Sequence, residues 1–236
     1  MNMRKLPAIL VIAALSSVLA SCGEDDDERP SSAQMRSSPA AAAKPGAAAE
    51  GELGRPGTVP GKANIYGAGR AHPPDPGGGG PGVRPRVWQL PDGAHRVVSF
   101  PGISGQVNPI VGTTEDNGPG GDGVGPTDVT SYRGLSGIVH RRNGMFLVGV
   151  FLTDDPPAGQ APPRLDFTKR ERFRSLSPRI GQTFFVGDGE RRSYRVPPEA
   201  TRLFLGFADG YDYQGPPGWY DNNGGELSVT VEMTSG

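Results

Sequence analysis

From about Arg84 to the C-terminus, apolar residues come in short stretches, each closed by Gly, Pro, Asn or Asp. No segment there carries a long apolar stripe at helical spacing with caps at its ends, so strands and turns must build the domain. Candidate strands are Arg86–Leu90, His95–Phe100, Gly134–His140, Met145–Thr153, Gln182–Val186, Ser193–Val196, Thr201–Ala208 and Glu226–Glu232. Leu203, Leu205 and Phe207 alternate with Phe204, Gly206 and Ala208, and Leu227, Val229 and Val231 alternate with Ser228 and Thr230. Such period-two alternation marks strands packed on one face. Asn143-Gly144, between two apolar runs, predicts a type I′ hairpin, whose central residues both need positive φ. About 150 residues in strands of this kind suffice for one sandwich core. The expectation is an all-β, jelly-roll-like β-sandwich over residues 85–236.

The preceding segment has a different composition. Met1 to Lys5 is basic, Leu6 to Val18 is apolar, and small residues follow. This is the pattern of a secretory signal peptide, here residues 1–21. Its apolar run falls short of the roughly 20 residues a membrane-spanning helix needs. Leu19-Ala20-Ser21-Cys22 resembles the lipobox of bacterial lipoproteins, which implies diacylglyceryl on the Cys22 sulfur and a lipid-anchored mature chain beginning there. Several acyl chains on one residue give stable anchoring. Cys22 is the only cysteine, so an intramolecular disulfide and a Cys-rich metal site are both excluded. Gly23 stands where Asp would suggest inner-membrane retention in many Gram-negative bacteria, so an outer-membrane destination is expected in that cell type.

Ala, Gly, Pro, Ser and charged residues dominate 22–84, including the acidic run Asp25 to Asp27 and the glycines between Pro76 and Pro81. Too little apolar surface is present to offset ordering entropy, which predicts a disordered tether. Roughly 60 such residues span on the order of 45 Å.

Charge excludes further classes. With 24 basic against 25 acidic residues, no net charge is available to attract nucleic acid. A catalytic reading also fails. Asp154 and Asp155 are adjacent and would point to opposite faces of a strand. Ser136 lacks a nucleophile-elbow frame, and neither His72 nor His95 is placed as a base. His140 falls within a strand and reads as structural. The expectation is a non-catalytic domain.

The densest chemistry lies between Leu205 and Val229. Two strands flank a loop with Asp209, Asp212, Asp221, Asn222 and Asn223. Hard cations take six to eight oxygens from carboxylates, amides and backbone carbonyls. Gly218, Gly224 and Gly225 permit turns that would aim carbonyls inward. The same residues are also ordinary turn formers. The spacing does not fit an EF-hand.

The order strand, Asp, Pro217-Gly218-Trp219-Tyr220, Asn222-Asn223, Gly225, strand resembles the LecA-like (PA-IL) calcium-dependent, galactose-binding bacterial lectins. The match is clearest over Leu203–Val231, with a weaker echo in Gly102–Asp122. The resemblance implies Ca2+ held by the Asp209 carboxylate, the Asn222 and Asn223 amides and the Trp219 carbonyl. A second carbonyl would come from the early loop, around Val107 or Asn108. It also implies a carbohydrate partner of galactose type, bound through vicinal hydroxyls, with Trp219 and Tyr220 as candidate saccharide contacts. Two departures stand out. About half a dozen extra residues separate Asp209 from Trp219, so Asp212 could replace or join Asp209. Thr127–Arg133 contains neither the His nor the Gln that contacts sugar in the family. Lectins often gain avidity from several sites, and an oligomer or a membrane-tethered array would supply them.

Overall fold

The structure, a computed structural model, describes residues 48–113, 117–121 and 125–235. The expected signal peptide, Cys22 and the tether up to residue 47 lie outside the described residues. In chain order the strands are β1 (Glu50–Gly51), β2 (Pro56–Pro60), β3 (Arg86–Gln89), β4 (Val97–Asn108), β5 (Thr127–Val129), β6 (Ile138–His140) and β7 (Leu147–Leu152). There follow β8 (Leu165–Asp166), β9 (Ser175–Leu176), β10 (Phe184–Phe185), β11 (Ser193–Arg195), β12 (Arg202–Phe207), β13 (Gln214–Gly215) and β14 (Gly224–Thr234). They form three sheets, ordered β1-β3-β12-β7-β10, β2-β14-β4-β11-β9 and β13-β5-β6-β8. The fold is an all-β sandwich of mixed sheets, and every strand expected from the alternation overlaps an observed one. Among the described residues, no helix is long and apolar enough to cross a membrane.

The first two sheets meet across an aromatic layer. The Phe184 ring of β10 lies 4.8 Å from Tyr194 of β11, and Tyr194 meets Phe100 of β4 edge-on at 5.3 Å. The buried Tyr194 hydroxyl donates to the Phe185 carbonyl at 2.9 Å, so the polar tip is satisfied inside the core. In β14, Leu227, Val229 and Val231 are buried while Ser228 and Glu232 face solvent, as the alternation predicts. All of β7 is buried, because it is a central strand with both faces covered.

Two expectations are corrected. The domain does not begin at residue 85. β2 pairs with β14 from Pro56↔Thr230 to Pro60↔Glu226, and β1 pairs with β3. Val59, Ala63, Ile65, Tyr66 and Ala68 are fully buried. Beyond Arg86, the first residue of β3, the chain at Ala63–Asn64 takes over the edge of β12, and Phe207 donates its N–H to the Ala63 carbonyl. The segment is poor in apolar residues, but those five enter the core.

The second correction concerns Asn143-Gly144, which is not a hairpin. β6 belongs to the third sheet and β7 to the first, so the turn passes the chain between sheets. The positive φ falls on Met145 instead, at 53°. Asn143 braces the crossing by donating its side-chain amide to the Gly120 carbonyl at 3.0 Å.

Candidate functional site

The loop from β12 to β14 is ordered by three neighbours. After Phe207, the buried Asp209 donates its backbone N–H to the Tyr220 hydroxyl at 3.0 Å, and that hydroxyl donates to the Phe207 carbonyl. Gly218 donates to the Asp209 carbonyl at 3.2 Å, closing the loop's base. Between Asp209 and Trp219 the chain makes a tight turn over Tyr211–Tyr213, with Asp212 and Tyr213 at positive φ, and then β13, which pairs in parallel with β5. This segment therefore contributes a strand to the third sheet and is not slack.

The third neighbour is the glycine-rich segment expected to be tether. Trp219 donates its N–H to the Gly78 carbonyl at 2.7 Å, Tyr220 donates to Gly80 at 3.1 Å, and Gly82 donates to the Asp221 carboxylate at 3.0 Å. Trp219 holds a φ of 66°, uncommon for a bulky residue and sustained by this pairing. A Cβ at Gly79 would lie 2.4 Å from the Trp219 ring, so the chain passes where only glycine fits.

Within this frame, Asp209, Asn222 and Asn223 are brought together. The Asn223 amide donates to one Asp209 carboxylate oxygen at 2.8 Å, and the Gly210 N–H donates to the other at 2.7 Å. Burial pushes the Asp209 carboxyl up to about 7, against the lowering effect of those two hydrogen bonds. The side-chain oxygens of Asn222 and Asn223 are buried and accept no hydrogen bond. Orphaned buried acceptors are rare and costly, and two beside a desolvated carboxylate lack a positive partner. No three His, Cys, Asp or Glu side chains group together among the described residues. A cation here would depend on carboxylate, amide and carbonyl oxygens, the donor set that suits calcium.

The remaining candidates divide. Asp212 is exposed with φ 48° and lines the same cleft as Asp209, but it is Asp209 that accepts the Asn223 amide. Val107 and Asn108 sit opposite Gly225 and Gly224, at the end of the sheet where the loop returns. The Val107 carbonyl already accepts the Asn117 N–H at 2.7 Å. The Asn108 side chain is spent on the Ile110 N–H and on Thr113. The early loop starts at Pro109, since 102–108 is strand; it reaches the site through the Val111 N–H, which donates to the Asn222 carbonyl at 2.7 Å. Tyr220 is corrected as a saccharide contact: it is fully buried, and its hydroxyl positions Asp209.

No protein-family model matches the chain, and no curated protein matches it either. The site is thus read from its own geometry. Asp209, Asn222 and Trp219 line an open cleft of about 600 Å³ together with Ile110, Tyr211 and Tyr213. Tyr211 packs against Trp219 with ring centroids 5.2 Å apart and is 63% exposed. Tyr211 and the 77–82 segment were missed in the sequence. An aromatic two residues after Asp209 marks the first. The second carries a weaker signal, a run of glycines framed by two prolines just after the apolar pair Ile65-Tyr66.

Proposed function

We propose that this chain is an exported, lipid-anchored protein whose β-sandwich binds calcium and, through it, carbohydrate, without catalysis. The observation that carries the reading is the orphaned Asn222 and Asn223 oxygens with the buried Asp209 carboxylate, where Asp209 and Asn222 line an open, aromatic-lined cleft and Asn223 lies buried against Asp209. Asp209 and the two amides would hold the ion, with the Trp219 carbonyl as a further ligand. A bound calcium supplies coordination positions that vicinal hydroxyls of a sugar can fill. The exposed ring of Tyr211 and the half-buried Trp219 offer faces for the C–H patch of a pyranose, galactose-type glycans being the first class to try. Anchoring through Cys22, on the outer membrane in a Gram-negative cell, would display the cleft.

Titration calorimetry with calcium, followed by a glycan array with and without chelator, tests this reading. Calcium binding that is lost in Asp209→Ala, with chelator-sensitive glycan binding, is expected. Calcium that raises the unfolding temperature while no glycan binds would instead make the ion a brace for the loop. No calcium binding at all sinks both.

A further inference from the structure

A second cleft, about 340 Å³, shares no lining residue with the loop cleft and is walled by three arginines from separate parts of the chain. Arg70 follows the 3-10 turn Ile65–Gly67, Arg84 precedes β3, and Arg202 opens β12. Backbone carbonyls hold each guanidinium from one side. Arg70 donates through Nε to the Tyr66 carbonyl at 3.0 Å and through Nη2 to the Arg133 carbonyl. Arg84 donates through Nη1 to Arg70, and Arg202 donates through Nε to Thr153 at 3.0 Å. Carbonyls fix these groups in place but carry no formal charge to neutralise them.

None of the three forms an ion pair among the described residues. Glu50 also lines the cleft and offsets only one of the three charges. Burial lowers the Arg70 pKa, and the neighbouring Arg133 charge lowers it further, opposed by Tyr132. Most telling is the Arg84 Nη2, a buried donor with no acceptor. A charged donor out of water without a partner is costly, and because Arg84 lines the cleft, a turn of its guanidinium toward an acceptor bound there would relieve it.

The geometry points to an oxyanion site in this cleft, fitted to a phosphate group bound between Arg70, Arg84 and Arg202. A carboxylate is planar and is served by one bidentate arginine. A tetrahedral, doubly charged group presents oxygens in several directions, which suits donors arriving from three elements. The phosphate can belong to a soluble phosphoester or to a lipid headgroup.

Both sources are tested with the full chain. Inorganic phosphate is titrated at low ionic strength without calcium, with matched sodium chloride as the control. The Cys22→Ala chain is sedimented with phosphatidylcholine vesicles with and without phosphatidic acid. Phosphate should raise the unfolding temperature where chloride does not. Arg84→Gln should weaken binding roughly tenfold or more, the loss expected for one charged hydrogen bond. Glu50→Gln, at an exposed position, should tighten binding several-fold, which keeps the test alive if the Arg84 variant fails to fold. A response to phosphate assigns a soluble ligand, and a response to phosphatidic acid alone assigns a lipid. No response to either, or Arg84→Gln and Glu50→Gln both binding like the parent, overturns the site.

Discussion

Asp209 sits where its protonated form is favoured, because burial raises its pKa more than the Asn223 and Gly210 hydrogen bonds lower it. Between the ordinary carboxylate range and about 7, the folded chain keeps a proton that the unfolded chain has released. Stability of the metal-free protein should therefore fall as pH rises through that window and level off above it, by at most about 1.4 kcal/mol per pH unit. Urea unfolding in chelator at about pH 5 and about pH 8 measures this, and a flat profile would contradict it. Asp209→Asn removes the titration, with the Asn223 amide turned over to accept. It should stabilise the metal-free chain near pH 8 by about 1–3 kcal/mol while erasing any calcium-induced rise in unfolding temperature. The same substitution thus helps the empty protein and disables the site.

At the level of elements, the glycine run is the least expected support of the loop. Gly78 and Gly79 have nearly equal φ, 75° and 76°, but a Cβ at Gly78 meets nothing within 4 Å whereas one at Gly79 meets the Trp219 ring. Alanine at Gly78 should cost about 1–2 kcal/mol from the left-handed backbone alone. Alanine at Gly79 should cost about 1–3 kcal/mol more, through displacement of Trp219. It should also weaken calcium binding, as thermal unfolding with and without the ion would read. Equal losses at the two positions would remove the run from the site.

This contrast also explains what the sequence could reveal. β14 was legible because its alternation records which face is buried; β12 was legible as an apolar run, but as a central strand it is buried on both faces and not on the one expected. The Asp-Asn loop between them was legible because its side chains carry the chemistry. β2 was not: Pro56 and Pro60 suit only an edge strand, and Val59 is its single buried large side chain. The Asn143-Gly144 turn misled because its dipeptide fits a hairpin locally, while the choice of sheet for β7 is made by its distant partners β10 and β12. The choice between Asp209 and Asp212 depends on where the loop folds back, which β13 decides by pairing with β5.

For the whole molecule, β1 and β2 make the folded domain start well before residue 85. A chain beginning at Lys44 should unfold cooperatively, whereas one beginning at Pro85 should lack β2 beside β14 and lose the cover of Ile65 and Tyr66, and should not fold. Circular dichroism melts of the two distinguish the outcomes. If the proposed lipid anchor and calcium site hold, Cys22→Ala should shift the protein out of the membrane fraction in cells without changing its calcium affinity.

β2 also joins the site to the part of the chain that leads back toward Cys22. Its last ladder pair, Pro60↔Glu226, is followed at once by Gly61, whose N–H donates to Gly225 and whose carbonyl accepts from Asn223. Tension between the N-terminal side of β2 and a ligand held in the cleft would run lengthwise along this antiparallel ladder. Its residue pairs would then share the pull in shear, and none would be peeled open one at a time.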